Sequence, residues 1–370
     1  MNIPIVSLSI LDPLYSLFGS IIKFIYTIFG NYGLAVIIFT ILIRLVLLPF
    51  YVKQHKSSLQ QQALAPQLAD LQKYYGNDRE GYTTAQMELY NKHGVSIMGG
   101  CLPMLLSIII MWPVYRIIQG PMHFIMGVPV DNLNSIGQIL LDKGLATQAN
   151  MQMNLAHNNI FIVDALNNNP QVLSEVVNNG LVSVGSILNM NFLGLNLGLK
   201  PSLNPSLLFG AQSSTFLPLL LFPLAATGFS LLQSIYTQRI TSPDAKLSRK
   251  EKKELKEKQA KNPALQQSSN TDPAATTNKS MMIMMPMMTL LFTFMMPAAM
   301  SLYWIVGSLL GMFQTWLFYK IYSAPMAERQ AASDAEYEAK IKARAEKEKE
   351  AISRLQDEAG RKKKRRRKED

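Results

Sequence analysis

The sequence predicts an all-α integral membrane protein built around a five-helix transmembrane bundle. Three observations lead to this fold class. The apolar residues are gathered into five long runs, each run is close to the roughly 20 residues that a helix needs to cross the hydrocarbon of a bilayer, and Lys and Arg are concentrated in alternate connecting segments. The overall composition, 48% hydrophobic, would also suit a soluble protein. The distribution of the apolar residues therefore decides the class.

The five predicted spans follow the apolar runs along the chain. The first run is apolar from Gly33 onward, and the short sequence PAAM between the last two runs predicts a helical hairpin. Proline recurs within the runs, as at Pro49, Pro113 and Pro223, and membrane helices tolerate it. The predicted spans are residues 31–51, 99–119, 216–236, 281–297 and 301–319.

The positive charges predict the orientation of these spans. Residues 52–98 contain five Lys or Arg, residues 237–280 contain ten, and residues 320–370 contain sixteen. Residues 120–215 contain only Lys143 and Lys200 against four acidic residues. Because short cytoplasmic segments are enriched in Lys and Arg, we expect the N-terminus outside, an extracellular insert at 120–215 and the C-terminus in the cytoplasm. The expected location is a bacterial plasma membrane.

Residues 1–30 predict an amphipathic helix lying on the external membrane surface. Apolar residues such as Leu14, Phe18, Ile22 and Ile25 repeat at helical spacing, while Lys23 interrupts the run. A sixth span is the alternative, but it would invert the charge asymmetry. A signal peptide is disfavoured because the segment has no basic start and no small-residue cleavage site.

The segments predicted to be cytoplasmic fall into three kinds. Residues 52–98 predict a helical hairpin with its turn at 76–81, a kink at Pro66, and a second helix capped by Thr83 or Thr84. Residues 242–280 have a composition typical of disorder. The tail at 320–370 ends in a basic block that could bind anionic headgroups or ribosomal RNA, or could be only a solvated tail. The block consists of Arg361, Lys362, Lys363, Lys364, Arg365, Arg366, Arg367 and Lys368.

Arg44 is the strongest functional signal in the sequence. It is the only charge in the apolar run from Gly33 to Tyr51, and a charge in the middle of a span costs about 3 kcal/mol on insertion scales. The side chain could snorkel to the headgroups, but Tyr51 is seven residues further on, about 10 Å along a straight helix. We therefore favour a polar cavity inside the bundle. Other polar span residues that could line it include Thr40, Gln233 and Gln314, although Ser and Thr often serve only to join helices.

Several function classes lack their signatures in this sequence. None of the five predicted spans contains Asp or Glu, which disfavours a proton-relay transporter. A phosphate-binding Gly-Lys-Ser/Thr loop, an H-E-x-x-H motif and a metal-ligand spacing of histidines are all missing, and the single Cys101 cannot form an internal disulfide. We therefore expect neither an enzyme nor a cofactor.

Four segments of the sequence carry a family resemblance. They are the run from Tyr32 to Pro49 and the segments KQHKSSLQQQALAPQLADLQKYYG, YNKHGVSIMGGCLPMLLSIIIMWPVY and MMIMMPMMTLLFTFMMPAAMSLYWIVGSLLGMFQTWLFYK. In this order they resemble the YidC/Oxa1/Alb3 family of membrane protein insertases. Three departures from the family pattern suggest a Gram-positive, clostridial source: the large external domain after a first span and an N-terminal lipobox cysteine are not seen, and the external segment at 121–190 is longer than usual.

The resemblance implies a hydrophilic groove, open to the cytoplasm and to lipid, in which Arg44 attracts acidic residues of a substrate. Gln233, Tyr303 and Trp304 match groove-lining or substrate-contacting positions of the family. The implied function is to insert nascent membrane proteins into the lipid bilayer without nucleotide, with the ribosome and the Sec translocon as expected partners. A channel or substrate-specific transporter is the alternative from another class, and an assembly chaperone that holds but does not insert its clients also stays open.

Overall fold

A computed structural model describes residues 12–76, 78–95, 102–183, 185, 187–241, 284, 286–323 and 325. Helices dominate these residues, and a single two-stranded hairpin accompanies them there. The all-α character of a membrane protein is therefore confirmed at this level. The predicted loop at 242–280, the first residues of the fourth span and the basic block at 361–368 lie outside the described residues.

The first two helices form an antiparallel pair. Helix α1 (Asp12–Phe29) and helix α2 (Tyr32–Val46) contact each other along their length. Gly30 reverses the chain with a positive φ of 62°, and the side chain of Asn31 caps α2 by accepting a hydrogen bond from the Leu34 N–H at 3.0 Å. One face of α1 is buried against the protein, while Phe24 and Ile28 on the other face are exposed.

The first predicted span is bent rather than straight. Helix α3 (Leu48–Ala63) follows α2 after the single residue Leu47, and the two helix axes differ by 56°. Pro49 explains the bend, because it has no N–H to donate to the carbonyl four residues earlier and its ring crowds that carbonyl. The expectation of a straight helix through Tyr51 was therefore wrong.

The next segment folds as a helical hairpin. Helix α4 (Ala65–Tyr75) packs against helix α5 (Arg79–Lys92), with a small core of Leu64, Tyr90 and Val95 between them. The cap of α5 was predicted wrongly, because Asp78 caps it by accepting a hydrogen bond from the Gly81 N–H at 3.0 Å. The Thr83 and Thr84 hydroxyls instead donate to carbonyls of the preceding turn.

Residues 120–212, which we call the insert, form a folded helical unit. The insert contains α7 (Pro121–Phe124), α8 (Val130–Asp142), α9 (Gln148–Gln152), α10 (Ile160–Asn168), α11 (Pro170–Asn178), the strands β1 (Asn191–Phe192) and β2 (Leu195–Asn196), and α12 (Pro205–Phe209). Its buried apolar side chains belong to the same core as those of α1 and α2.

Five further helices contain the remaining apolar runs. They are α6 (Leu102–Gln119) before the insert and α13 (Ser213–Leu219), α14 (Leu221–Thr241), α15 (Pro286–Met295) and α16 (Ala298–Phe318) after it; a π-helical turn (Tyr319–Ser323) follows α16. Among the described residues, two helical stretches, Ser213–Ile240 and Ala298–Ser323, are long and apolar enough to cross a membrane, and the bent α2–α3 pair makes a third. The predicted PAAM turn is shorter than expected, because α16 already begins at Ala298.

The N-terminal ends of α2, α13 and α16 meet at the β-hairpin of the insert and the loop that follows it. The Asn31 amide, just before α2, donates to the Asn191 carbonyl at 3.3 Å. The Ala298 and Ala299 N–H groups, which no intrahelical carbonyl can reach, donate to the carbonyls of Leu199 and Leu197, both at 2.9 Å. Strand β2 packs against α13. The insert thus joins the beginnings of α2, α13 and α16.

Candidate functional site

Arg44 lies in the last turn of α2 and reaches across to α16. Its side chain is half-buried. One terminal nitrogen donates a hydrogen bond to the Gly307 carbonyl at 2.7 Å, and the other donates to the Gln314 side-chain oxygen at 3.4 Å. The guanidinium carbon also lies 5.6 Å from the centre of the Tyr51 ring, within the range of a cation–π contact.

The chain between Arg44 and Tyr51 is bent at Leu47. On a straight helix these two residues would be about 10 Å apart along the axis, and the sequence argument used this distance against an Arg44 that snorkels to the headgroups. The axes of α2 and α3 differ by 56°, so the straight-helix distance does not apply, and the guanidinium lies against the Tyr51 ring.

Two glycines of α16 make room for the polar side chains around Arg44. Gly307, Gly311 and Gln314 are spaced by four and three residues, so they share one face of the helix. A β-carbon on Gly307 would lie 3.4 Å from the Arg44 guanidinium, and one on Gly311 would overlap the side-chain amide of Gln233. We name the set Arg44, Gln233, Gly307, Gly311 and Gln314 the polar cluster.

Sequence reasoning missed the two glycines. The signal was present as the segment GSLLG, in which two small residues four apart allow close approach to a membrane helix. This spacing brings side chains from α2 and α14 against adjacent turns of α16. The cluster therefore depends on three helices from distant parts of the chain.

The other predicted site residues occupy different surroundings. The Thr40 hydroxyl is buried and donates to the Val36 carbonyl of its own helix at 2.7 Å, one turn before Arg44. The phenol of Tyr303 is close enough to Arg44 and Tyr51 to interact electrostatically with both. Trp304 packs against the main apolar core. The structure thus brings Gln233, Gln314 and Tyr303 to the neighbourhood of Arg44, and the basic block 361–368 lies outside the described residues.

The polar cluster leaves the charge of Arg44 uncompensated by any acid among the residues that the structure describes. A guanidinium carries five N–H donors, and here two hydrogen bonds go to neutral oxygens of Gly307 and Gln314. A carboxylate can instead accept two parallel hydrogen bonds from the guanidinium fork, between groups of opposite charge. The cluster can therefore exchange its internal contacts for an incoming carboxylate.

A second group of titratable residues surrounds a cavity of about 350 Å³ beside the N-terminal end of α1. Asp12, His123 and His157 line it together with Phe124. Burial lowers the pKa of His157, and the nearby charge of Arg116 lowers it further. No set of three metal-ligating side chains occurs in the described part of the chain, so the cavity is a polar recess next to α1.

The apolar helices and the polar cluster define an all-α integral membrane protein that has a charged residue between its helices. A family model described as "60Kd inner membrane protein" matches residues 24–325. The chain therefore belongs to the 60Kd inner membrane protein family.

Several curated relatives carry the name "Membrane protein insertase YidC". The protein from Caldanaerobacter subterraneus subsp. tengcongensis is 40% identical over 101 residues, which are 27% of this chain and 49% of the relative. The protein from Geobacter sp. (strain M21) is 43% identical over 95 residues, which are 26% of this chain and 18% of the relative, and that from Geobacter sulfurreducens is 41% identical over the same length. The chain thus spans half or less of the length of these relatives.

Proposed function

We propose that this protein is a membrane protein insertase, which moves segments of nascent membrane proteins from the cytoplasm into the bilayer. The observation that carries the proposal is the polar cluster, in which a single unpaired positive charge faces neutral acceptors between apolar helices. The printed names of the relatives point in the same direction. The proposed site residues are Arg44, Gln233, Tyr303, Trp304, Thr40 and Gln314.

The proposed topology has five spans, with the N-terminus outside and the C-terminus in the cytoplasm of a bacterial cell. The insert supports this arrangement, because the beginnings of α2, α13 and α16 all meet it. Helix α6 joins it from its C-terminal end, where the Asn159 N–H donates to the Gln119 carbonyl at 2.9 Å. Helices α2, α13–α14 and α16 would therefore cross in one direction and α6 in the other, with the insert on the external side.

The proposed groove combines the polar cluster with apolar surfaces on the same helices. Large apolar side chains of α2, α14 and α16 are exposed, and in a bilayer they would face lipid. These residues include Leu42, Leu45, Leu224, Leu232, Leu309 and Phe313. A substrate at the cluster would thus have a polar contact on one side and an apolar path to lipid on the other.

The mechanism follows from the energies of these two surfaces. An acidic flank of the substrate would displace the Gln314 and Gly307 oxygens from Arg44 and would not have to cross bare hydrocarbon, where an unpaired charge is costly. The apolar part of the substrate would then slide into lipid, which is favourable by about 25 cal/mol for each Å² of apolar surface. Transfer of apolar surface drives this step, so it requires no nucleotide.

The proposed partners are nascent membrane proteins and lipids, with the ribosome and the Sec translocon as further partners. The basic block 361–368 would add affinity for ribosomal RNA or anionic lipid, because eight consecutive positive charges release counterions from a polyanion. The function is proposed to be non-enzymatic.

An insertion assay with substrates that differ only in the charge of their external tail tests the proposal. The purified protein is reconstituted into liposomes, and we compare the native chain with Arg44→Ala and Arg44→Lys. We expect Arg44→Ala to reduce insertion of acidic-tail substrates about tenfold or more, equivalent to a lost charged hydrogen bond of about 1.5–3 kcal/mol. Neutral-tail substrates should lose little.

Arg44→Lys separates the two roles that the residue could have. A Lys keeps the charge but lacks the planar fork that bonds Gly307 and Gln314 together, so a charge-based role predicts that much of the activity is retained. Equal losses in both variants for every tail, accompanied by reduced accumulation of the protein, would show that Arg44 only joins helices.

A further inference from the structure

The residue at the tip of the β-hairpin is a leucine with a left-handed backbone conformation and a solvent-exposed side chain. Phe192 pairs with Leu195, so Leu193 and Gly194 form a two-residue turn. Leu193 has a φ of 52° and its side chain is 86% exposed. The left-handed conformation costs a residue with a β-carbon about 1–2 kcal/mol, and Asn or Gly is the usual choice in such turns. In water neither the backbone nor the side chain would favour leucine here.

The contacts of the hairpin place its tip beside the ends of the proposed spans. The Phe192 ring packs so closely on Gly33 that a β-carbon there would overlap it, which fixes the hairpin to the first turn of α2. The loop after β2 caps the first turn of α16, and β2 packs on α13. A residue next to three helix beginnings lies at the depth where those helices enter the bilayer.

The surroundings of the tip have the composition of a membrane interface. Residues 176–237 contain a single charged residue, Lys200, which is exposed and directly follows the Leu199 carbonyl that caps α16. At the end of α1, next to the Asn31 cap, Ile28 and Phe29 are 61% and 51% exposed. Exposed apolar side chains together with one cation are suited to acyl chains below a layer of phosphates.

We propose that the hairpin tip is a membrane anchor, in which Leu193 inserts into the acyl chains of the leaflet nearest the insert and Lys200 faces a lipid phosphate. Burial in lipid would reverse the penalty for exposing leucine, with a gain of about 25 cal/mol for each Å² removed from water. The anchor would hold the insert against the bilayer surface. This inference rests on the proposed assignment of α2, α13–α14 and α16 as spans.

The test measures the depth of a fluorescent probe in vesicles. The full chain carrying Cys101→Ser and Leu193→Cys is labelled with a nitrobenzoxadiazole maleimide. It is then reconstituted into vesicles of phosphatidylethanolamine and phosphatidylglycerol that contain lipids spin-labelled on the acyl chain, either close to the headgroup or close to the chain end. We expect strong quenching of the probe at position 193 by the label close to the headgroup, and of a probe in the middle of a span by the label close to the chain end. The exposed side chain at this position packs on nothing, so the substitution removes no core contact.

Two matched positions make the result decisive. Ser174→Cys lies on the exposed face of α11 beside the ion pair of Lys143 and Glu175 and should show little quenching, whereas Leu309→Cys on the exposed side of α16 reports a proposed span. If position 193 is quenched no more than position 174 while position 309 is quenched, the anchor is refuted and the span assignment stands. If position 309 is not quenched either, the proposed topology itself fails.

Discussion

Asn159 in the insert and Arg44 in the polar cluster are both polar groups enclosed by apolar helices, yet their hydrogen bonding differs. Asn159 is fully buried, and its side chain accepts from the Met122 N–H and donates to the Leu155 carbonyl, both at 2.9 Å. Arg44 is half-buried and has two neutral partners for five donors.

This difference indicates what each region is built to do. In the insert, the buried side chain of Asn159 has a partner for both its oxygen and its nitrogen, which favours a single rigid arrangement around it. In the polar cluster, the Arg44 guanidinium has more N–H donors than it has acceptors. The helices of the cluster approach each other at glycines, and flexible side chains fill the space between them. A permanent scaffold and a site for transient contacts would be expected to differ in this way. The same kind of substitution should therefore have different consequences in the two regions.

The largest effect is expected for Gly19→Ala, where α1 meets the insert. A β-carbon on Gly19 would collide with the backbone carbonyl of Phe124, and backbone cannot move aside as a side chain can. We expect a loss of about 3 kcal/mol or more in the free energy of unfolding, at or above the upper end of the usual overpacking range. Thermal unfolding in detergent measures it, and the exposed neighbour Ser20→Ala, which should be nearly neutral, is the control.

Asn159→Ala should have the next largest effect. The substitution leaves the buried Met122 N–H without its acceptor, which costs about 1–3 kcal/mol. The adjacent Asn158→Ala, whose half-buried side chain makes only a solvent-exposed hydrogen bond of 3.5 Å, should change the unfolding free energy by less than about 0.5 kcal/mol. Equal unfolding temperatures for the two variants would contradict the view that the insert depends on satisfied buried groups.

Gly311→Ala should affect function more than stability. The β-carbon would meet only the flexible end of Gln233, so the side chain can turn away, and alanine favours a helix over glycine by about 1 kcal/mol. We expect the unfolding temperature to stay within a few degrees of the native value, while insertion of acidic-tail substrates falls several-fold. Gly228→Ala on α14, where a β-carbon would meet nothing within 4 Å, should gain the same helix propensity and leave insertion unchanged.

The smallest effect concerns the pH dependence of stability at the cavity between α1 and the insert. Because burial lowers the pKa of His157 in the folded protein, the unfolded chain takes up a proton first as the pH falls below about 6.5. The folded state is therefore fully favoured above that pH and loses stability as the pH drops toward the lowered pKa. His157→Gln should flatten the pH dependence of unfolding in this window, and an unchanged slope would mean that this imidazole is solvated.

The local pattern of the sequence was sufficient for several elements. The helical spacing of apolar residues in α1, the apolar runs of α14 and α16 and the isolated charge at Arg44 were all visible, because they depend on residues close together in the chain. The cap at Asp78 was missed, since Thr83 and Thr84 offered equally good capping chemistry a few residues later. The bend at Leu47 was missed although Pro49 was noted, because membrane helices often tolerate proline without bending.

The composition of the apolar runs and the single arginine within the first of them were thus determined by the sequence itself, since hydrophobicity and charge are properties of the residues alone. Only the tertiary structure decided which groups Arg44 meets. Gly307 and Gln314 are more than 260 positions away from it, and a glycine signals nothing by itself until another helix approaches it. The fold of the insert was also decided in three dimensions, because its Asn-rich segments form hydrogen bonds that no local periodicity reveals.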